Sequence, residues 1–116
     1  MLIPIKIEVN YDKNTGTVTC TPDEVTVQYM KNERKPFDST AKVQWEISGR
    51  SSGHTVRIMW AIDGPFPEIE KINEDKFVAR GNTRVPGVYK YAVLFVDENG
   101  QVKAGVDPDI INEPIP

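Results

Sequence analysis

The sequence predicts an all-β chain: a two-sheet antiparallel Greek-key β-sandwich of about seven to nine strands, with at most one short helical turn near residues 67–73. Three observations predict it. Apolar residues recur with period two in nearly every segment, as they do along half-buried strands. Turn residues interrupt these runs at short, regular intervals, which is the pattern of a sandwich and not of alternating βα units. No stretch sustains the 3.6-residue period of an amphipathic helix.

The strands follow in order. Ile3, Ile5, Ile7 and Val9 alternate with Pro4, Lys6, Glu8 and Asn10. Asn14-Thr15-Gly16 makes a turn, and Thr17 to Cys20 a short strand with Val18 and Cys20 on one face. Thr21-Pro22-Asp23-Glu24 interrupts it before Val25, Val27 and Tyr29 resume the alternation. The polar stretch Lys31 to Thr40, which contains Pro36, reads as a loop. Val43, Trp45 and Ile47 form the next apolar face, and Ser48 to Gly53 the next turn. Val56, Ile58, Trp60 and Ile62 share one face of the following strand, with Thr55, Arg57, Met59 and Ala61 on the other. Asp63-Gly64-Pro65-Phe66-Pro67 ends it. Glu68 to Ile72 is the candidate helical turn, too short to stand alone. Lys76 to Arg80 is a short strand, and Gly81 to Gly87 a loop. The longest strand is Val88 to Val96. Asp97-Glu98-Asn99-Gly100 predicts a hairpin with Asn-Gly in a type I′ turn. Gln101 to Gly105 pairs back, and Asp107-Pro108-Asp109 redirects the chain into Ile110-Ile111-Asn112. No repeat or linker divides the chain, so residues 1–116 are expected to form a single β-sandwich domain.

The bulk numbers limit the function. A chain of 116 residues buries roughly 65% of its unfolded surface, enough for a core without staples. Its net charge of −3 and lack of a basic cluster exclude nucleic acid as a partner, because phosphate neutralisation needs concentrated Lys and Arg. Lys31, Arg34 and Lys35 stand together only in a loop sequence. No run is long and apolar enough for a membrane span, and the first residues do not resemble a signal peptide. The expected location is cytoplasmic, with a secreted mature form as the other reading. Cys20 is the only cysteine and reads as a small buried hydrophobe.

The long strand has two apolar faces. Tyr89, Tyr91, Val93 and Phe95 suit a sandwich core. Val88, Ala92, Leu94 and Val96 lie opposite, interrupted only by Lys90. A strand apolar on both faces is covered on both. The cover is either the segment around Phe66 and Ile69 or another chain. Ala92, Leu94 and Val96 are therefore the candidate interface, for a second copy or a protein partner.

The order of features resembles a cupredoxin-like sandwich. Pro22 precedes the strand of Val25 and Val27, Val43 and Trp45 follow, then His54, then Gly87, Tyr89 and Tyr91. The resemblance implies a fold without its copper. His54 matches a first ligand, but the thiolate position falls near Val93 and the second imidazole near Val96, and neither residue binds copper. An immunoglobulin- or fibronectin-like sandwich is resembled nearly as well. There Trp45 takes the place of the buried central Trp, and Tyr89 or Tyr91 that of the Tyr near the penultimate strand.

The remaining chemistry is sparse. His54 is the only imidazole, with no base–nucleophile arrangement around it. Asp97, Glu98, Asp107 and Asp109 lie in turn sequences, where such residues serve the backbone. Gathered, they could offer oxygen ligands to a weak Ca²⁺ site, although their spacing matches no calcium loop. We expect no catalytic residues, no cofactor and no metal. The reading is a non-catalytic protein-interaction or structural module that self-associates or holds a protein partner. The alternative is a small-molecule or carbohydrate-binding module using the loop aromatics Phe37 and Phe66 with the loop Gly81 to Pro86.

Overall fold

The computed structural model describes residues 5–29, 42–61, 68–80 and 85–114. They contain β1 (Ile5–Asp12), β2 (Thr17–Thr21), β3 (Glu24–Tyr29), β4 (Lys42–Ser48), β5 (Thr55–Trp60), β6 (Glu70–Asn73), β7 (Lys76–Arg80), β8 (Gly87–Val96), β9 (Val102–Val106) and β10 (Asp109–Pro114). Strands β2-β1-β4-β7-β6 form sheet A in that order. Strands β3-β10-β8-β5 form sheet B, and β9 also pairs with β8. The all-β sandwich is therefore present, with ten strands among the described residues where about seven to nine were expected.

Two pairings depart from a purely antiparallel arrangement. β1 lies parallel to β4, with Ile7 beside Trp45 and Val9 beside Ile47. β10 lies parallel to β3, with Ile110 beside Val25 and Asn112 beside Val27. Alternation fixes which side chains are buried but not which strand is the neighbour, so both sheets are mixed.

The expected helical turn is also replaced. Glu70–Asn73 is strand β6, antiparallel to β7 with a bulge between Lys71 and Asn73. A four-residue segment cannot nucleate a helix, whereas here a hairpin closes over it. Asn73 Oδ1 accepts the Asp75 N–H at 2.8 Å, and the Ile47 N–H donates to the Asp75 carbonyl.

The core lies between the sheets and follows the period-two pattern. Ile7, Val9, Val18, Cys20, Val43, Trp45, Ile47, Phe77 and Ala79 come from sheet A. Val25, Val27, Val56, Ile58, Tyr91, Val93, Phe95 and Ile110 come from sheet B. At its centre Trp45 packs edge-on against Tyr91 and Trp60, with ring centroids 5.3 and 6.3 Å away. Such pairs add about 0.5–1.5 kcal/mol each beyond simple burial.

β8 organises sheet B. β5 pairs along one side of it through residues 91–96. β9 and β10 both run antiparallel to β8, over residues 93–96 and 87–90 respectively. They act as one long strand interrupted at Asp107-Pro108, where the Tyr91 N–H donates to the Pro108 carbonyl at 3.1 Å.

The β8–β9 turn differs from the expected type I′. The Gly100 N–H donates to the Asp97 carbonyl at 3.0 Å, and the Asp97 N–H to the Gln101 carbonyl at 2.8 Å. The left-handed residue at the end of this turn is Gly100, with φ of 82°. The Asp97 carboxylate accepts the Asn99 and Gln101 N–H groups, both at 2.9 Å. An aspartate that caps its own turn in this way favours the longer, bulged connection.

Candidate functional site

The outer face of sheet B is built by strand register. Inward residues Tyr91, Val93 and Phe95 pair with Trp60, Ile58 and Val56 on β5. The residues between them must point outward. On that face Ala92 stands beside Met59, and Leu94 beside Arg57. Val88 stands beside Ile111, and Lys90 beside Asp109.

This face carries an unusually apolar row. Val88 is 65% exposed and Met59 42% exposed. Ala92, Leu94 and Ile111 are half-buried. The Lys90 ammonium bridges to the Asp109 carboxylate at 3.1 Å and donates to the Asp107 carbonyl at 3.2 Å, across the middle of the row. Leu94 leans over Gly105: a Cβ at that glycine would lie 2.9 Å from Leu94 Cδ2. The missing side chain at Gly105 thus creates the seat in which Leu94 rests.

The three candidate interface residues therefore separate. Ala92 and Leu94 lie in the row. Val96, although on the same strand, is buried. Ile69, proposed as part of a cover, packs instead against the core cluster. Phe37 and Phe66, and residues 81–84 of the candidate loop, lie outside the described residues, as do Lys31, Arg34 and Lys35. Met59 and Ile111 complete the row only through pairing, so alternation within β8 could not reveal them.

The one part of the candidate loop that is described is anchored. The Val85 carbonyl accepts the Tyr89 hydroxyl at 3.1 Å and Asn112 Nδ2 at 2.9 Å. Tyr89 makes the corner contact characteristic of immunoglobulin-like sandwiches, where a Tyr near the start of a strand bonds back to the chain just before it. Tyr91 is the core residue of the pair, fully buried.

The other chemical candidates are occupied by structural contacts. Asp97 is taken up by its turn and by Lys103 at 3.5 Å. Those backbone donors hold its carboxyl below the usual carboxylate range. Asp109 is paired with Lys90. Among the described residues no group of His, Cys, Asp or Glu is placed to hold a metal ion. His54 sits edge-on against Tyr11 and Phe95, with centroids 5.3 and 6.4 Å away. Its Nδ1 is buried without a hydrogen-bond partner. The Cys20 thiol is buried, and loss of solvent pushes it up to about 11, far from a reactive thiolate.

Sheet A presents a different surface. Lys6 bridges Glu46 at 2.9 Å. Glu8, Asn10, Thr21, Glu46 and Ser48 line an open groove of about 400 Å³. A smaller groove of about 210 Å³ lies beside β5, walled by Ile58, Met59, Trp60, Glu68 and Ile69.

Neither family models nor curated protein sequences match this chain. Among solved structures it is similar to the cysteine protease inhibitor EhICP2 from Entamoeba histolytica. The two share 10% identity over 94% of this chain and 96% of that one, with a TM-score of 0.47. At that level the likeness transfers neither a target nor a binding loop. The cupredoxin resemblance is not borne out: the similar solved structure is that of a cysteine protease inhibitor. Val93, where that resemblance placed a thiolate position, is a fully buried core residue beside Ile58 and Val106.

Proposed function

We propose that the chain is a non-catalytic protein-binding module that docks a partner on the outer face of sheet B. The observation that carries this reading is the row Val88, Ile111, Ala92, Leu94 and Met59. A sheet face turned to water ordinarily shows polar residues, as the outer side of sheet A does with Glu8, Asn10, Gln44 and Glu46. An apolar row crossed by a single charged pair has the anatomy of a contact surface. The Lys90–Asp109 bridge at its middle supplies orientation, since a charged pair fixes register more than it adds affinity.

The test is affinity capture with the whole chain as bait, read by mass spectrometry, beside the variants Val88→Lys and Met59→Lys. Both side chains are well exposed, so the fold is expected to tolerate the changes. Proteins held by the wild type should be lost from both variants. A partner retained equally by all three baits would place the docking surface elsewhere.

A further inference from the structure

We infer that Asn99 is a site of spontaneous backbone modification, converted through a cyclic imide with Gly100, and that Asp97 holds the turn shut against that conversion. The inference is independent of the outer-face reading, because it rests on a turn and not on a sheet face.

Of the asparagines in the chain, Asn99 alone is followed by glycine. That order matters chemically. The nitrogen of the following residue can attack the asparagine side-chain carbonyl carbon, and glycine has no Cβ to crowd the approach. Both residues are exposed. No described atom beyond the chain neighbours lies within 4 Å of where a Gly100 side chain would begin. Water therefore reaches the amide, and nothing blocks the ring sterically.

The Gly100 nitrogen gives its proton to solvent and bonds to Asn99 Cγ. The bond from Cγ to Nδ2 breaks, and the amide nitrogen leaves with a solvent proton as ammonia. Water then opens the imide. Opening at Cγ leaves an ordinary aspartate. Opening at the main-chain carbonyl leaves an isoaspartate, whose backbone runs through the side chain and is longer by a methylene. Water is consumed, ammonia is released, and nothing is oxidised or reduced.

The folded turn opposes the first step. The Gly100 N–H, which the attack must remove, is donated to the Asp97 carbonyl at 3.0 Å. Asp97 Oδ1 accepts the N–H groups on either side of it, from Asn99 and Gln101, both at 2.9 Å. Ring closure has to turn the Asn99–Gly100 peptide toward the Asn99 side chain, which breaks this set of bonds. Conversion therefore follows the population of the locally opened turn. The carboxylate is the lock, since bonds to an ionised acceptor are among the stronger ones. Either product adds a carboxylate beside Asp97 and Glu98, so the net charge becomes more negative than −3. The longer isoaspartate backbone also misfits the Asp97–Gln101 bond that closes the hairpin.

The test holds folded wild type, Asp97→Ala, Asp97→Asn and urea-unfolded wild type in mildly alkaline buffer. Peptide mapping by mass spectrometry follows Asn99 through its change from amide to acid. Conversion should be slow in the folded wild type and fastest in urea. Asp97→Ala should convert roughly tenfold faster than the folded wild type, the factor that losing one charge-assisted hydrogen bond gives an opening equilibrium. Asp97→Asn keeps an acceptor oxygen and should stay closer to the wild type, whereas an effect of charge alone makes the two variants equal. A measurement without variants stands beside these: the slowing of conversion on folding should match the protection of the Gly100 N–H from hydrogen exchange. An Asn99 that survives in urea, a folded Asp97→Ala that converts at the wild-type rate, equal rates for the two variants, or slowing that does not match the protection each overturns the inference. None of these outcomes bears on capture through Val88, which takes no part in the turn.

Discussion

Tyr91 shows what an unpaired group in the core costs. Its ring is fully buried between Trp45 and Trp60. Its hydroxyl faces the Trp45 indole and the Cys20 thiol without closing a well-formed hydrogen bond to either. Burial raises the phenol far above its ordinary range, so it remains neutral at any physiological pH. Tyr91→Phe keeps the packing and removes only the unpaired oxygen. A buried polar group without a partner is a net penalty, so the variant should be as stable as the wild type or more stable by about 1 kcal/mol. Urea unfolding followed by Trp fluorescence checks this. A clear loss of stability would show that the hydroxyl has a partner. The burial of Tyr91 was legible in the sequence, because it shares a face with Val93 and Phe95. Its lack of a partner was not, because that depends on Trp45 and Cys20 arriving from the other sheet.

At the scale of elements, the β8–β9 hairpin depends on Asp97 more than on Asn99-Gly100. The Asp97 carboxylate accepts two backbone N–H groups and lies beside Lys103. Asp97→Ala should lower the melting temperature and broaden the resonances of Asn99 and Gln101 before the rest of the sheet is affected. Acid should act in the same direction. The folded-state pKa is depressed, so the contribution is complete above the ordinary carboxylate range and is lost as pH falls through the lower, folded value. A thermal melt series in acid should therefore show a larger decline for the wild type than for Asp97→Ala. The hairpin itself was legible from Asn-Gly, but its turn type was not, because the competing bonds of one carboxylate decided it. β6 was misread for a related reason. Ile69 and Ile72 have helical spacing, yet the Asn73–Asp75 turn allows Glu70–Asn73 to pair with β7.

For the whole molecule, alternation disclosed the layers but not their wiring. The buried faces of β1, β2, β4 and β5 and most of that of β8 could be read from the sequence, since period two separates core from solvent. The parallel pairings β1–β4 and β3–β10 could not, because no local signal names a distant neighbour. The docking row was half legible for the same reason. Ala92 and Leu94 were found within one strand, while Met59 and Ile111 joined them through register. This wiring makes β10 indispensable: it lies between β3 and β8 and is the in-sheet partner of β3. Deleting residues 109–114 should therefore unfold sheet B as a unit. Loss of dispersed NMR signals from Val25 and Val27 on β3 as well as from β8 would report it. A deletion that left the β3 signals in place would show that β3 is held by other contacts.

The same wiring has a consequence for the time order of assembly. Synthesis delivers β3 early, and Gln28 then waits for Glu113, 85 residues later in the chain, to reach its side. Sheet A lacks such a delay, because β1, β2, β4, β6 and β7 have all been made by Arg80. A nascent chain can therefore close one layer on the ribosome while β3 still shows its apolar Val25 and Val27. That interval ends only when β10, the last described strand in sequence order, pairs with β3.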